Sequence, residues 1–206
     1  MSNKKHVQTV INLFQDKLYS KQIFDNIPQN SIVYDIGFGI GLFTIYVLSL
    51  RHDLRVFAFE PSKIKAEFFN KNIVANNFGN NITLFRNAIS NYDGKGTFSK
   101  HDNKWILISD HDGHIDVKKL GNAAIMATKL PKFIRMNIQC AEYDTLLDAR
   151  SIIINLHSTI IQYYNKIVIP DPKEYLEFYL DELNFEVKEG NQKYIYSTKR
   201  TINAIG

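Results

Sequence analysis

The residues best suited to chemistry are Asp35-Ile-Gly37-Phe38-Gly39-Ile-Gly41 and Glu60, which stands 19 positions beyond the last of these glycines. Glycines at alternate positions let a backbone turn sharply and come close to a ligand. A helix starting directly after them would turn its free N–H groups toward the same ligand. A carboxylate at the end of the next strand can accept hydrogen bonds from both hydroxyls of a ribose. The spacing is not that of a dinucleotide fingerprint, because Leu42 stands where the third glycine belongs. It is not a phosphate-gripping loop either, since Gly-Lys-Ser/Thr is absent. The bland alternative is a tight strand-to-helix turn with no ligand. Asp35 and Glu60 at these distances argue against it.

Those residues converge only if the elements around them are α/β. Residues 31–36 (SIVYDI) and 55–59 (RVFAF) read as buried strands, and residues 42–50 as a helix. Ser62 is placed to cap a helix over residues 63–77, with Ile64, Phe68, Phe69, Ile73 and Val74 expected to face inward. Strands are expected over 82–85, 97–98, 105–109, 114–117, 133–138 and 151–156. The 105–109 and 114–117 strands would be joined by a turn at Asp112-Gly113. Helices are expected over 6–20, 141–147 and 172–183, with a closing hairpin of 185–187 and 194–197 through Gly190-Asn191. This order predicts a mostly parallel, doubly wound sheet with a C-terminal antiparallel hairpin. Ligands bind such sheets outside the carboxyl ends of the strands, where Asp35 and Glu60 fall.

The chain has 206 residues, 45% hydrophobic and 22% charged, which suits one domain: a helical segment over 1–30 and a core over 31–206. Its single cysteine, Cys140, excludes an intrachain disulfide and a cysteine-cluster zinc site. The longest uncharged apolar run, residues 40–50, is about half of a membrane span. No apolar signal segment follows the opening Met-Ser-Asn-Lys-Lys-His, so the expectation is a cytoplasmic protein without a membrane span. The formal charge of +4 is scattered, with no clustered basic face of the kind nucleic-acid binders use.

The run Val33-Tyr-Asp-Ile-Gly-Phe-Gly-Ile-Gly-Leu-Phe-Thr44 resembles the first motif of the FkbM-type methyltransferase family. Val56-Phe-Ala-Phe-Glu-Pro61 is similar to its second motif, and Asn87-Ala-Ile-Ser90 followed by Gly94-Lys-Gly-Thr-Phe98 to its third-strand end and hairpin. Most specific is Ile134-Arg-Met-Asn-Ile-Gln-Cys-Ala-Glu142, where the family reads roughly I-K-I-D-V-E-G-A-E. The resemblance covers about residues 32–157. It implies a Rossmann-like class I methyltransferase fold. The implied reaction is methyl transfer from S-adenosylmethionine to a hydroxyl of a sugar or other small molecule, leaving S-adenosylhomocysteine. It also implies that Asp35, Gly37, Phe38, Gly39, Gly41, Glu60 and Pro61 bind the cofactor, with Asn87 and Ala88 beside the adenine.

The chain departs from that pattern at Asn137 for Asp, Gln139 for Glu and Cys140 for Gly. A hydroxyl nucleophile benefits from a general base, and an amide cannot take a proton at neutral pH. Replacement bases are Glu142, otherwise a helix N-terminal charge, and His157, otherwise a structural histidine. The competing reading is a catalytically weakened cofactor-binding or scaffold protein. A nucleic-acid methyltransferase ranks lower, because Asn137-Ile-Gln-Cys140 lacks the prolines and the stacking aromatic that amino-methylating enzymes carry. Lys129, Lys132 and Arg135 read as a solvated face. Asp110-His111-Asp112-Gly113-His114 reads as a polar turn, and no metal site is expected.

Overall fold

The computed structural model describes residues 22–101, 104–139, 141–163, 172–190 and 194–200. The expected helix over 6–20, Cys140 and the turn residue Asn191 lie outside them. In chain order, β1 (Ile32–Ile36), β2 (Arg55–Phe59) and β3 (Ile82–Phe85) open a main sheet. β4 (Ala88–Ser90), β5 (Gly94–His101), β6 (Lys104–Ser109) and β7 (Ile115–Lys119) build a smaller one. β8 (Phe133–Met136) and β9 (Ser158–Gln162) return to the main sheet, which β10 (Phe185–Gly190) and β11 (Tyr194–Lys199) complete.

Among the described residues the main sheet has seven strands, in the order β3-β2-β1-β8-β9-β11-β10. Its first five are parallel, and β11 runs antiparallel between β9 and β10. β1, in the middle of the five parallel strands, is buried at every position, and the near-continuous apolar run VYDI reflects cover on both faces. Side chains alternate across the sheet. Tyr34 and Ile36 join Ile134 and Met136 on one face, packed under α4 (Leu120–Ala127), α5 (Glu142–Asp148), α6 (Arg150–Ile153) and α7 (Pro172–Glu182). Val33 joins Val56 and Phe133 on the other face, covered by α1 (Gln22–Asp25), α2 (Leu42–Leu50) and α3 (Lys63–Ala75). Asp35 shares the face of Val33 and therefore points at α2. The mixed α/β sheet with helices on both faces and an antiparallel C-terminal hairpin is the expected architecture.

Several local expectations need correction. Residues 151–156 are not a strand: they form most of α6 and the turn after it. Ile152, Ile153 and Leu156 are buried in the core while Ile154 is exposed, so the run uses a helical face. A short β-branched run cannot be told from a buried helix by period alone. The strand is the following STIIQ, whose Ser158 and Ile161 are register partners of Phe133 and Met136. On α3 the inward residues are Ala66, Phe69 and Ile73, whereas Ile64, Phe68 and Val74 are exposed. Ser62 does cap that helix, its side chain accepting from Lys65 N. β6 and β7 flank the 110–114 turn without pairing, because β5 lies between them in the order β4-β7-β5-β6. Strand β4 and helix α4 were not anticipated.

α1 is held by two devices. Phe24 is fully buried against Phe43, Tyr46 and Phe133. Arg51 Nη1 donates to the carbonyls of Phe24 (2.7 Å) and Ile27 (3.1 Å), and Asp53 accepts two hydrogen bonds from the same guanidinium.

Candidate functional site

The carboxyl ends of β1, β2 and β8 meet at one rim. After β1 the chain turns through Gly37, Gly39 and Gly41, all at positive φ (80°, 61° and 86°). Gly37 N donates to Phe59 O at 2.8 Å, which ties the turn to the end of β2. A Cβ on Gly37 would lie 2.1 Å from the Asn137 carbonyl oxygen, and one on Gly41 would lie 2.3 Å from the Phe69 ring. Those two positions are closed to side chains by contact as well as by φ, while Gly39 has open space around it. Gly41 is the N-cap of α2, so the loop delivers a helix start to this rim.

Glu60 directly follows β2 and is only 3% exposed. Its carboxylate accepts from Gly39 N (3.3 Å), from Ser62 N (3.2 Å) and from the Lys65 ammonium on both oxygens. The two main-chain donors fix its orientation and offset the cost of burying the charge.

Beside Glu60 opens a cavity of about 300 Å³. Gly37, Glu60, Pro61, Asn87, Ala88 and Asn137 line it, all of them expected site residues. Phe98 of β5 and Leu107 of β6 add an apolar wall from the small sheet, while Gln139 and Ala141 stand with Asn137 at the β8 side. Gln139 has φ 57°, a left-handed conformation uncommon for a residue with a side chain. The volume falls within the range of small-molecule sites, and the mixture of apolar walls with few polar groups is typical of them.

The remaining expected residues do not line the cavity. Phe38 is buried against Phe69, with ring centroids 4.2 Å apart. Gly39 contributes its N–H to Glu60, and Gly41 caps α2. Asp35 is fully buried, accepting from Thr44 Oγ1 (2.7 Å) and from Arg135 Nη1 (3.1 Å). Burial pushes its carboxyl above the ordinary carboxylate range, against the pull of Arg135 and Thr44. Glu142 is buried, and its Oε1 accepts from Ile138 N at 2.8 Å, holding the turn after β8 from beneath. His157 is placed at the opposite rim. It precedes β9 instead of following a strand, and its N–H donates to Lys132 O at the start of β8. Burial, with Lys132 nearby, holds its imidazole below the usual histidine range.

Arg135 is not part of a solvated face: it is 7% exposed and points into the sheet toward Asp35. The signal was in the sequence, because an arginine inside the apolar run FIRM must have a buried partner. The sequence signal for Lys65 is weaker: a lysine on the first turn of the helix that follows a strand-end glutamate can reach back to it. Among the described residues no group of three or more His, Cys, Asp or Glu converges to hold a metal. No described helix is long and apolar enough to cross a membrane.

No family model and no curated protein matches the chain. Solved structures do. The methyltransferase FkbM of Methylobacillus flagellatus superposes with a TM-score of 0.63 at 17% identity, over 91% of this chain and 47% of that one. A precorrin-6y C5,15-methyltransferase from Geobacter metallireducens gives 0.54 at 13% identity, covering 90% and 92% of the two chains. An rRNA methylase from Streptococcus thermophilus gives 0.52 at 15% identity, covering 86% and 92%. The chain thus spans about half the length of the first of these and nearly all of the other two. It has a Rossmann-like methyltransferase fold.

Proposed function

We propose that the chain is an S-adenosylmethionine-dependent methyltransferase. The observation that carries this reading is the buried Glu60 carboxylate, presented at the wall of the cavity beside a glycine loop that has no room for a Cβ at Gly37. These residues fit an adenosyl ligand. Glu60 would hold the ribose hydroxyls, and Gly37 lets the loop close against the Asn137 carbonyl at the edge of the cavity. Pro61, Asn87 and Ala88, with Phe98 and Leu107, would enclose the adenine. When bound, the cofactor supplies an electrophilic methyl group on its sulfonium. Asn137 and Gln139 then act by hydrogen bonding and position, since neither amide takes up a proton. Glu142 is a positioning residue in this reading, setting the Ile138 turn on which the amides stand.

The acceptor we propose is a hydroxyl on a sugar or other small molecule, and the compartment the cytoplasm, on the strength of the sequence resemblance. The two amides favour one further reading, a protein that binds the cofactor and turns over slowly. Calorimetric titration with S-adenosylmethionine and S-adenosylhomocysteine tests the common part. Micromolar binding that Glu60→Ala weakens is expected, and a folded protein that binds neither ligand would refute the proposal. An acceptor screen that includes an RNA then separates the enzyme from the binder, with turnover on RNA alone replacing the small-molecule acceptor.

A further inference from the structure

The carboxylate at the centre of this site is already fully engaged. An ionised carboxylate offers about four acceptor positions. On Oε1 of Glu60 the Ser62 N–H (3.2 Å) and the Lys65 ammonium (3.3 Å) occupy two. On Oε2 the Gly39 N–H (3.3 Å) and the same ammonium (3.2 Å) occupy the others. The main-chain donors are fixed by the glycine loop and by the turn into α3. Lys65 is different in kind: its side chain is 48% exposed, it stands on a flexible stem, and it lines the cavity.

A ribose diol brings two hydroxyl donors. The positions it can take are the two that the ammonium holds. We infer that Lys65 is an internal competitor for the ribose subsite, so that a ribonucleoside ligand binds Glu60 by displacing the Lys65 ammonium from it. The inference rests on the reading of the cavity as an adenosyl site. It makes Lys65 a determinant of cofactor affinity whose effect has a definite sign. A pair with one exposed partner is weak and is screened by salt. Displacing it costs most at low ionic strength, and a ligand that must do so binds more tightly as salt rises. The Lys65 N–H that donates to Ser62 Oγ belongs to the main chain, so side-chain substitutions leave the cap of α3 in place.

The test is calorimetric titration of the full chain with S-adenosylhomocysteine, for wild type, Lys65→Met and Lys65→Arg, at about 50 mM and about 500 mM salt. Lys65→Met is expected to bind about three- to fivefold more tightly than wild type at low salt, with the gap closing at high salt. Lys65→Arg should bind more weakly, because a guanidinium grips both oxygens in a fixed fork. In a Glu60→Gln background, Lys65→Met should add nothing. Lys65→Met binding no more tightly than wild type at low salt would overturn the inference and leave the cofactor site standing. Absence of binding by every folded variant would overturn the cofactor reading, and this inference with it.

Discussion

Asp35 and Arg135 are register partners on neighbouring parallel strands, and Arg135 Nη1 donates to Asp35 Oδ1 at 3.1 Å where both side chains are buried. The same nitrogen donates to Gly37 O at 3.0 Å, and Thr44 Oγ1 donates to the other Asp35 oxygen. One ion pair therefore joins β1, β8, the first loop residue and α2. The two acidic residues of the glycine motif divide the work: Asp35 shapes the loop from within the sheet, and Glu60 faces the cavity.

Breaking that pair from either side leaves a buried charge uncompensated, which costs about 3–5 kcal/mol. Asp35→Leu and Arg135→Met are each expected to lower the urea-unfolding free energy by about that amount. The double substitution should recover part of the loss, because it buries no charge at all. A single variant within about 1 kcal/mol of wild type would show that the pair contributes little.

The glycine loop predicts an ordering. Gly37→Ala drives a Cβ against the Asn137 carbonyl, a contact with main chain that cannot swing aside. Gly39→Ala meets nothing within 4 Å and carries only the penalty of a left-handed alanine, about 1 kcal/mol. Gly37→Ala should therefore abolish or severely weaken binding of S-adenosylhomocysteine, and Gly39→Ala should weaken it by about tenfold or less. Titration of both variants checks the order, and the reverse order would contradict this geometry.

Strand ends were legible because each motif residue follows an apolar run with turn chemistry behind it. Glu60 after RVFAF reached the expected rim, and so did Asn137, although the strand expected over 133–138 ends at Met136. Asp35 was legible as important, and strand alternation turns its side chain toward Thr44 and Arg135. His157 was misplaced for one reason. The run SIIINL reads equally as a strand or as a helical face, and choosing the strand moved the histidine to the wrong end of β9. The small sheet was found in pieces, because local sequence carries no sign that β5 inserts between β6 and β7. Lys65 was hidden by its ordinary position on the first turn of a helix.

Acid should loosen the docking of α1. Hydrogen bonds from the Arg51 guanidinium hold the Asp53 carboxyl down to about 2 from its ordinary 3.8. The folded value is the lower one, so the stabilisation is complete above about pH 4 and fades as pH falls toward 2. Asp53 is partly exposed, and screening reduces the contribution to about 1 kcal/mol. Asp53→Asn is expected to cost that much at pH 7 and only a small part of it at pH 2, where the folded carboxyl is half protonated. Denaturant unfolding of both proteins at the two pH values measures it, and a penalty independent of pH would assign it to shape, not charge.

The identity of the proton acceptor separates two places in the fold. His157 lies at the amino end of β9, across the sheet from the cavity, and burial, with Lys132 nearby, holds its imidazole below the usual histidine range. If the chain methylates a hydroxyl, His157→Ala should leave kcat unchanged in any assay where the protein stays folded. Asn137 lines the cavity itself, and Asn137→Asp puts a titratable oxygen where the amide oxygen stood. A positioned general base contributes about 10²–10⁴-fold, so the variant should raise kcat on a hydroxyl acceptor by about tenfold or more. The gain should also follow the ionisation of a carboxylate in the pH–rate profile, a signature that a purely structural change would not produce. Initial rates with isotope-labelled S-adenosylmethionine across pH 5–9 measure both variants. A fall in kcat for His157→Ala would place the reacting atoms elsewhere than in this cavity. No gain for Asn137→Asp would mean that the amide orients the acceptor and that the acceptor needs no base from this position.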